Sequence, residues 1–177
     1  MTVTIDGTTG VSAVQAGVVE QGDLAANVVG NGPAFSAYAN AAQTVSNNTL
    51  TKVVLQVEDF DTNSCFDSTT NYRFTPTVAG YYQVNGILRL SGTITTVQTL
   101  LYLYKNGSAY ADFTNTNPST ALSSNGYTIV GGSVLVYMNG STDYLEIYGY
   151  YFGGTSTFSG TSSSDTSRFS GALVRSA

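Results

Sequence analysis

The chain has 177 residues, only 10% of them charged, with a net charge of −5 and no histidine. That length fills one domain well, and the missing histidine excludes Ser-His-Asp triads, Cys-His dyads and His-based zinc sites. The six basic residues Lys52, Arg73, Arg89, Lys105, Arg168 and Arg175 are scattered, so no basic stripe awaits phosphates and nucleic acid is not an expected partner.

Thr, Ser, Asn, Gly and Tyr take the place of charge. This mixture favours strands and turns and resists long helices. The single Cys65 allows no internal disulfide framework. The longest apolar runs are too short to span a membrane, and residues 1–20 lack the basic and apolar regions of a secretory signal.

Residues 1–32 contain no aromatic residue, and glycines recur through them. Val11–Asn27 could form a short helix only if Gly17 and Gly22 were tolerated. The segment reads as an arm, either a disordered leader or a strap ordered against a neighbour. Its apolar anchors would be Val3, Ile5, Val11, Val14, Val18, Leu24 and Val28.

From Pro33 onward short strands alternate with turns. Ala34–Ala39 and Thr51–Val57 read as strands, and Glu58–Ser64 as an acidic loop. Pro76 marks a turn and Gly80 a change of direction. The clearest alternation follows, with Tyr82, Val84, Gly86, Leu88 and Leu90 on one face and Gln83, Asn85, Ile87 and Arg89 on the other. Gln98–Tyr104 is apolar on both faces, and Lys105–Ser108 has a tight hairpin's composition, Asn106-Gly107 supplying positive φ. Asn115–Asn125 reads as a loop. Tyr127–Tyr137 and Asp143–Phe152 are expected to pair across the turn at Met138–Thr142. Gly153–Ser167 reads as a Gly/Ser/Thr loop around Phe158, and Arg168–Arg175 as the closing strand. Strands at this spacing indicate an all-β sandwich or jelly roll.

One strand poses a question of its own. Tyr144–Phe152 places Tyr144, Glu146, Tyr148, Tyr150 and Phe152 on one face and Leu145, Ile147, Gly149 and Tyr151 on the other. Only one face can enter the strand's own core. The other calls for a thick core, a wet aromatic surface, a subunit interface or a tyrosine platform for sugars. The doubly apolar Leu100–Tyr104 favours the interface.

Chemistry finds little footing. Asp59, Asp61 and Asn63 have the one-three-five spacing of a calcium loop, but positions six and twelve hold Ser64 and Thr70 where that loop needs Gly and Glu. No metal or cofactor is expected. Nothing places Glu58, Glu146 or any Asp in a cleft as an acid pair, so enzyme activity is not expected.

Several stretches together resemble the globular head of complement component C-one-q, of the tumour-necrosis-factor-like (TNF-like) jelly-roll superfamily. They are Pro33-Ala34-Phe35-Ser36-Ala37, Phe66-Asp67, Asn71-Tyr72, Phe74-Thr75-Pro76, Gly80-Tyr81-Tyr82, Lys105-Asn106-Gly107 and Phe169-Ser170-Gly171-Ala172-Leu173. The resemblance covers about residues 33–175 and implies a ten-stranded jelly-roll head at 33–177 that forms homotrimers. It also implies that Tyr148, Tyr150 and their neighbours line a threefold axis. The expected interface is then Leu101, Leu103, Tyr144, Tyr148, Tyr150 and Phe152. No collagen-like stalk precedes the head, and the opening Thr-Ile-Asp-Gly-Thr-Thr-Gly is similar to N-terminal segments of tailed-bacteriophage structural proteins. The expected role is a trimer on the virion surface, decorating or cementing the capsid through its arm. The alternative is the receptor-binding head of a short tail fibre, meeting a host glycan or protein through Asn117, Ser119, Thr155, Ser156 and Phe158.

Overall fold

The computed structural model describes residues 30–93, 98–116, 127–153, 155–161 and 166–177. Alternating apolar and polar residues give strands throughout, and no helix occurs among the described residues. In chain order the strands begin with β1 (Ala34–Tyr38), β2 (Gln43–Val45), β3 (Thr51–Lys52), β4 (Val57–Asp61), β5 (Phe66–Asp67), β6 (Arg73–Phe74) and β7 (Ala79–Thr93). They continue with β8 (Gln98–Lys105), β9 (Ser108–Thr116), β10 (Tyr127–Asn139), β11 (Leu145–Phe152), β12 (Thr155–Phe158) and β13 (Arg168–Ser176). The resemblance implied ten strands; the short β2, β3, β5 and β6 raise the number.

Two antiparallel sheets face each other. One runs β2-β12-β7-β13-β1-β4, with β10 along β7; the other runs β5-β6-β11-β8-β9, with β3 on β11. β7 is the spine of the first. It pairs with β10 from Ala79 to Ser91, with β13 from Gly80 to Ile87 and with β12 from Leu90 to Thr93.

The expected alternation in β7 holds, since Tyr82, Val84, Leu88 and Leu90 are fully buried. The signature residues explain one another. Phe35 stacks on Phe66 and Phe74 at 5.0 and 4.3 Å and meets Phe169 edge-on, while Tyr82 meets Phe74 edge-on at 5.5 Å. These fragments, distant in sequence, form one aromatic core between the sheets. Tyr82 donates its phenolic hydrogen to the Val78 carbonyl at 2.7 Å, so its buried hydroxyl is satisfied. Gly86 is required by packing. A Cβ there would lie 2.5 Å from the Phe113 ring, which fills the space from β9.

Three expectations are corrected. Glu58–Ser64 is not simply a loop, because Val57–Asp61 pairs with β1 as an edge strand, a position where charge discourages further pairing. The expected hairpin across Met138–Thr142 is instead a crossover. β10 pairs with β7 in one sheet and β11 with β8 in the other. Asp143 secures this crossing by accepting hydrogen bonds from Asn106 Nδ2 at 2.8 Å and the Asn139 amide at 3.0 Å, and by pairing with Lys105 at 2.9 Å. Finally, Gly153–Ser167 contains β12, whose Phe158 is buried. The Asn-Gly hairpin between β8 and β9 is as expected, with φ of 53° at Asn106 and 77° at Gly107.

Candidate functional site

The outer faces of the two sheets carry the residues that ask for a partner. On the six-stranded sheet, β8 and β11 pair with Tyr102 opposite Tyr148 and Leu100 opposite Tyr150. Leu145, Ile147 and Tyr151 point inward, leaving Tyr144, Tyr148 and Tyr150 half-buried and Phe152 exposed on the outside. The split of β11 into two faces is therefore as expected.

The split of β8 is the reverse of the one proposed. Leu101 and Leu103 are fully buried in the protomer's own core, and the outward parity carries Tyr102 and Tyr104 half-buried and Leu100 at 8% exposure. A strand apolar on both faces gives no parity signal, and a one-residue slip exchanges its faces. Leu101 and Leu103 are thus core residues, not interface. Ser156 and Phe158 are likewise interior, at 4% and 1% exposure, and cannot serve as ligand contacts. Asn117, Ser119 and the arm residues Val3, Ile5, Val11, Val14, Val18, Leu24 and Val28 lie outside the described residues, as does the side chain of Thr155.

The chain covers this tyrosine face itself. Tyr104 lies against Tyr148 with ring centres 4.2 Å apart, and Tyr150 donates its hydroxyl hydrogen to Asn48 Oδ1 at 2.6 Å. The Arg73 guanidinium sits 4.4 Å over the Tyr144 ring. Lys52 pairs with the buried Glu146 and lies 5.9 Å from the Tyr148 ring centre. Burial, with the Glu146 charge adding to it, pushes the Tyr148 phenol above its ordinary pKa.

The seven-stranded sheet is different. Its outer face exposes Tyr81 and Ile87 from β7, Tyr127, Ile129, Leu135 and Tyr137 from β10, and Val174 from β13, each between 41% and 64% accessible. Register places Tyr137 beside Tyr81, their ring centres 5.5 Å apart. An open hollow of roughly 630 Å³ lies between Tyr81, Leu135, Val174, Arg175, Ser176 and Ala177. The sequence reading missed this face because Gln83, Asn85 and Arg89 gave one of its strands a polar cast. The signal was there in β10, where Tyr127, Ile129, Leu135 and Tyr137 share one parity.

Asp59, Asp61 and Asp67 are occupied within the fold. Asp59 accepts from Ser36 Oγ at 2.9 Å and pairs with Arg168 at 2.5 Å, while Asp61 accepts the Phe66 amide at 2.7 Å. Asp67 accepts the amides of Thr70 and Thr69 and both nitrogens of Asn71, which holds its carboxyl well below the ordinary range. No group of three or more Cys, Asp or Glu that could hold a metal occurs among the described residues.

No protein-family model matches the chain, and no curated protein matches it by sequence. Solved structures do. An Eiger TNF structure from S. frugiperda superposes with a TM-score of 0.56 at 10% identity, covering 82% of this chain and 95% of that one. Murine APRIL at pH 8.5 gives 0.52 at 10% identity, covering 79% and 99%. The fold is a TNF-like jelly roll. At that identity the likeness concerns the backbone plan, and the site rests on this chain's own residues.

Proposed function

We propose that the protein is a non-enzymatic virion structural protein of a tailed bacteriophage. It forms a homotrimer that decorates or cements the capsid through residues 1–32 and carries the TNF-like head outward. It is made in the host cytoplasm and ends on the virion surface, with capsid or tail proteins as further partners. The observation that carries the self-association is the outer face of the seven-stranded sheet. Tyr81, Leu135 and Val174 line one hollow, with Tyr137 beside Tyr81 and Ile87, Ile129 and Tyr127 further along the same face. Single exposed apolar residues are ordinary on a monomer, but a sheet face of this kind marks an interaction surface.

This moves the expected interface. Tyr144, Tyr148 and Tyr150 are half-covered by their own chain and need a second copy less than the other face does. The virion assignment rests on the arm's composition and on its opening motif. Three arms around one head would make many weak contacts tight together. For the receptor-binding alternative, the inward-facing Ser156 and Phe158 leave Asn117, Ser119 and Thr155 of the original contact set.

Sedimentation velocity on the full chain tests the assembly, with a trimer expected and a stable monomer at micromolar concentration sinking it. Cryo-electron microscopy of the purified particle tests the location. Trimers at capsid lattice points are expected; heads found solely on the tail would transfer the role to the alternative.

A further inference from the structure

The register of the six-stranded sheet aligns Asp112 of β9, Tyr102 of β8, Tyr148 of β11 and Lys52 of β3 in one row. Neighbouring strands lie about 4.8 Å apart, so the row is about 14 Å long. The next row toward the end of β11 adds Tyr150 and Asn115, with the buried Leu100 between them. At one end the Lys52 ammonium is neutralised by Glu146 and also donates to the Asn71 carbonyl at 3.2 Å. At the other, Asp112 is exposed; burial, with the Asp112 charge adding to it, pushes the Tyr102 phenol above its ordinary pKa. Between them lie the phenol rings of Tyr102 and Tyr148; Tyr148 is backed by Tyr104, and Tyr150 of the next row is tied to Asn48.

We propose that this row is a binding site for a neutral carbohydrate chain. A sugar ring offers an apolar C–H face, which suits an aromatic platform, and pairs of hydroxyls, which suit a carboxylate acceptor and the nearby Asn115 amide. Charge argues for the neutral class. The one cation in the row is neutralised, and Asp112 opposes an acidic sugar, a phosphate or a lipid headgroup. The extent of exposed apolar area argues against a protein partner, because Tyr102, Tyr148 and Tyr150 are half-buried and, among the described residues, most of the large exposed apolar side chains lie on the other sheet, with Tyr110 and Phe152 on this one. Groups held in place beforehand lose little freedom on binding, which favours a weak, polar ligand. The inference rests on the reading that self-association covers the seven-stranded face and leaves this one outward.

The test is an array of neutral and acidic glycans probed with the full chain. Solution titration of the strongest neutral hit follows, for the wild type, Tyr102→Ser, Tyr102→Phe and Asp112→Asn. Tyr102→Ser and Asp112→Asn should each weaken binding about fivefold or more, and Tyr102→Phe should keep most of it. Asp112 is exposed, so its variant folds even if Tyr102→Ser does not. Retention of no neutral glycan, retention of acidic glycans alone, capture of a host protein in their place, or affinity indifferent to both substitutions would each overturn the proposal. Sedimentation of the same samples separates the two readings. A normal trimer that binds no sugar overturns this inference alone, and a monomer that binds sugar through Tyr102 overturns the assembly alone.

Discussion

Both sheets of this sandwich carry aromatic rings on their outer faces, and the chain treats the two sets differently. On the six-stranded sheet Tyr144, Tyr148 and Tyr150 have company from their own protomer, although Tyr110 of β9 is 48% accessible. Tyr150 has Asn48, Tyr144 has Arg73, and Tyr148 has Tyr104 and Lys52. On the seven-stranded sheet Tyr127 and Tyr137 do have cations near their rings, Arg89 at 3.8 Å and Lys105 at 5.8 Å. Even so, Ile129 remains 64% accessible, Tyr127 58% and Leu135 51%. Aromatic content alone would rank the faces equal. The local cover separates them, and it points to assembly on one side and recognition on the other.

The sharpest way to break that comparison is to test the parity it stands on. If Leu101 and Leu103 face the core, Leu101→Ala opens a cavity between the sheets and costs about 2–5 kcal/mol, read by chemical denaturation of the assembled protein. Were Leu101 instead an interface residue, the same change would shift the sedimentation profile and leave subunit stability near that of the wild type.

The second prediction concerns the two faces directly. Leu135→Asp puts one carboxylate per subunit into the proposed contact, where it must lose water without a partner, at a cost of several kcal/mol. Sedimentation should show monomers. Phe152→Asp, on β11 of the other sheet, should leave the trimer intact, since Phe152 lies outside the proposed contact. Monomers from Phe152→Asp and trimers from Leu135→Asp would reverse the assignment of the faces.

The fold was readable in the chain because its signature residues are core residues. Phe35, Phe66, Phe74, Tyr82 and Phe169 had to be aromatic to build one stack, and Gly86 had to be small to admit Phe113. The site was less readable, for three physical reasons. In Leu100–Tyr104 both parities are apolar, so the inward one is decided by β11 across the sheet. In β12 a strand of four residues carries too little pattern to stand out from its Gly/Ser/Thr surroundings. The crossover at Asn139–Thr142 looks like a hairpin because Asn-Gly supplies the same positive φ to either connection. What makes it a crossover is the hold of Lys105 and Asn106 on Asp143, a contact between residues far apart in sequence.

That hold gives the third prediction, which bears on how firmly the two sheets are joined at this end. Burial opposes ionisation of Asp143, but the hydrogen bonds from Lys105, Asn106 and the Asn139 amide outweigh it and keep its pKa below the ordinary carboxylate value. A depressed native pKa means that the ionised form stabilises the fold. The contribution is complete above the unfolded value of about 4 and is lost as pH falls through the native one. Denaturation midpoints should therefore drop below about pH 4. Asp143→Asn should lower stability at pH 7 by about 1–3 kcal/mol and flatten that acid limb. An unchanged limb in the variant would mean that other carboxylates, Asp67 first among them, carry the acid sensitivity.

The smallest effect is the most telling about the tyrosine face. Tyr150→Phe keeps the ring and removes the hydroxyl that donates to Asn48 at 2.6 Å. Because the pair is partly open to water, the expected loss is about 0.5–1 kcal/mol, with no change in sedimentation. The phenol ties the 47–49 segment to β11, and Asn47 in that segment also accepts the Gly153 amide at 2.8 Å. Amide exchange at Asn48 and Gly153 should therefore quicken in the variant while exchange in β7 stays as it was. That pattern would mean that the face is held by its own chain, as a surface that stays outward must be. Loss of the trimer on removing this one oxygen would mean instead that Tyr150 reaches a second copy, and the division of labour between the sheets would have to be redrawn.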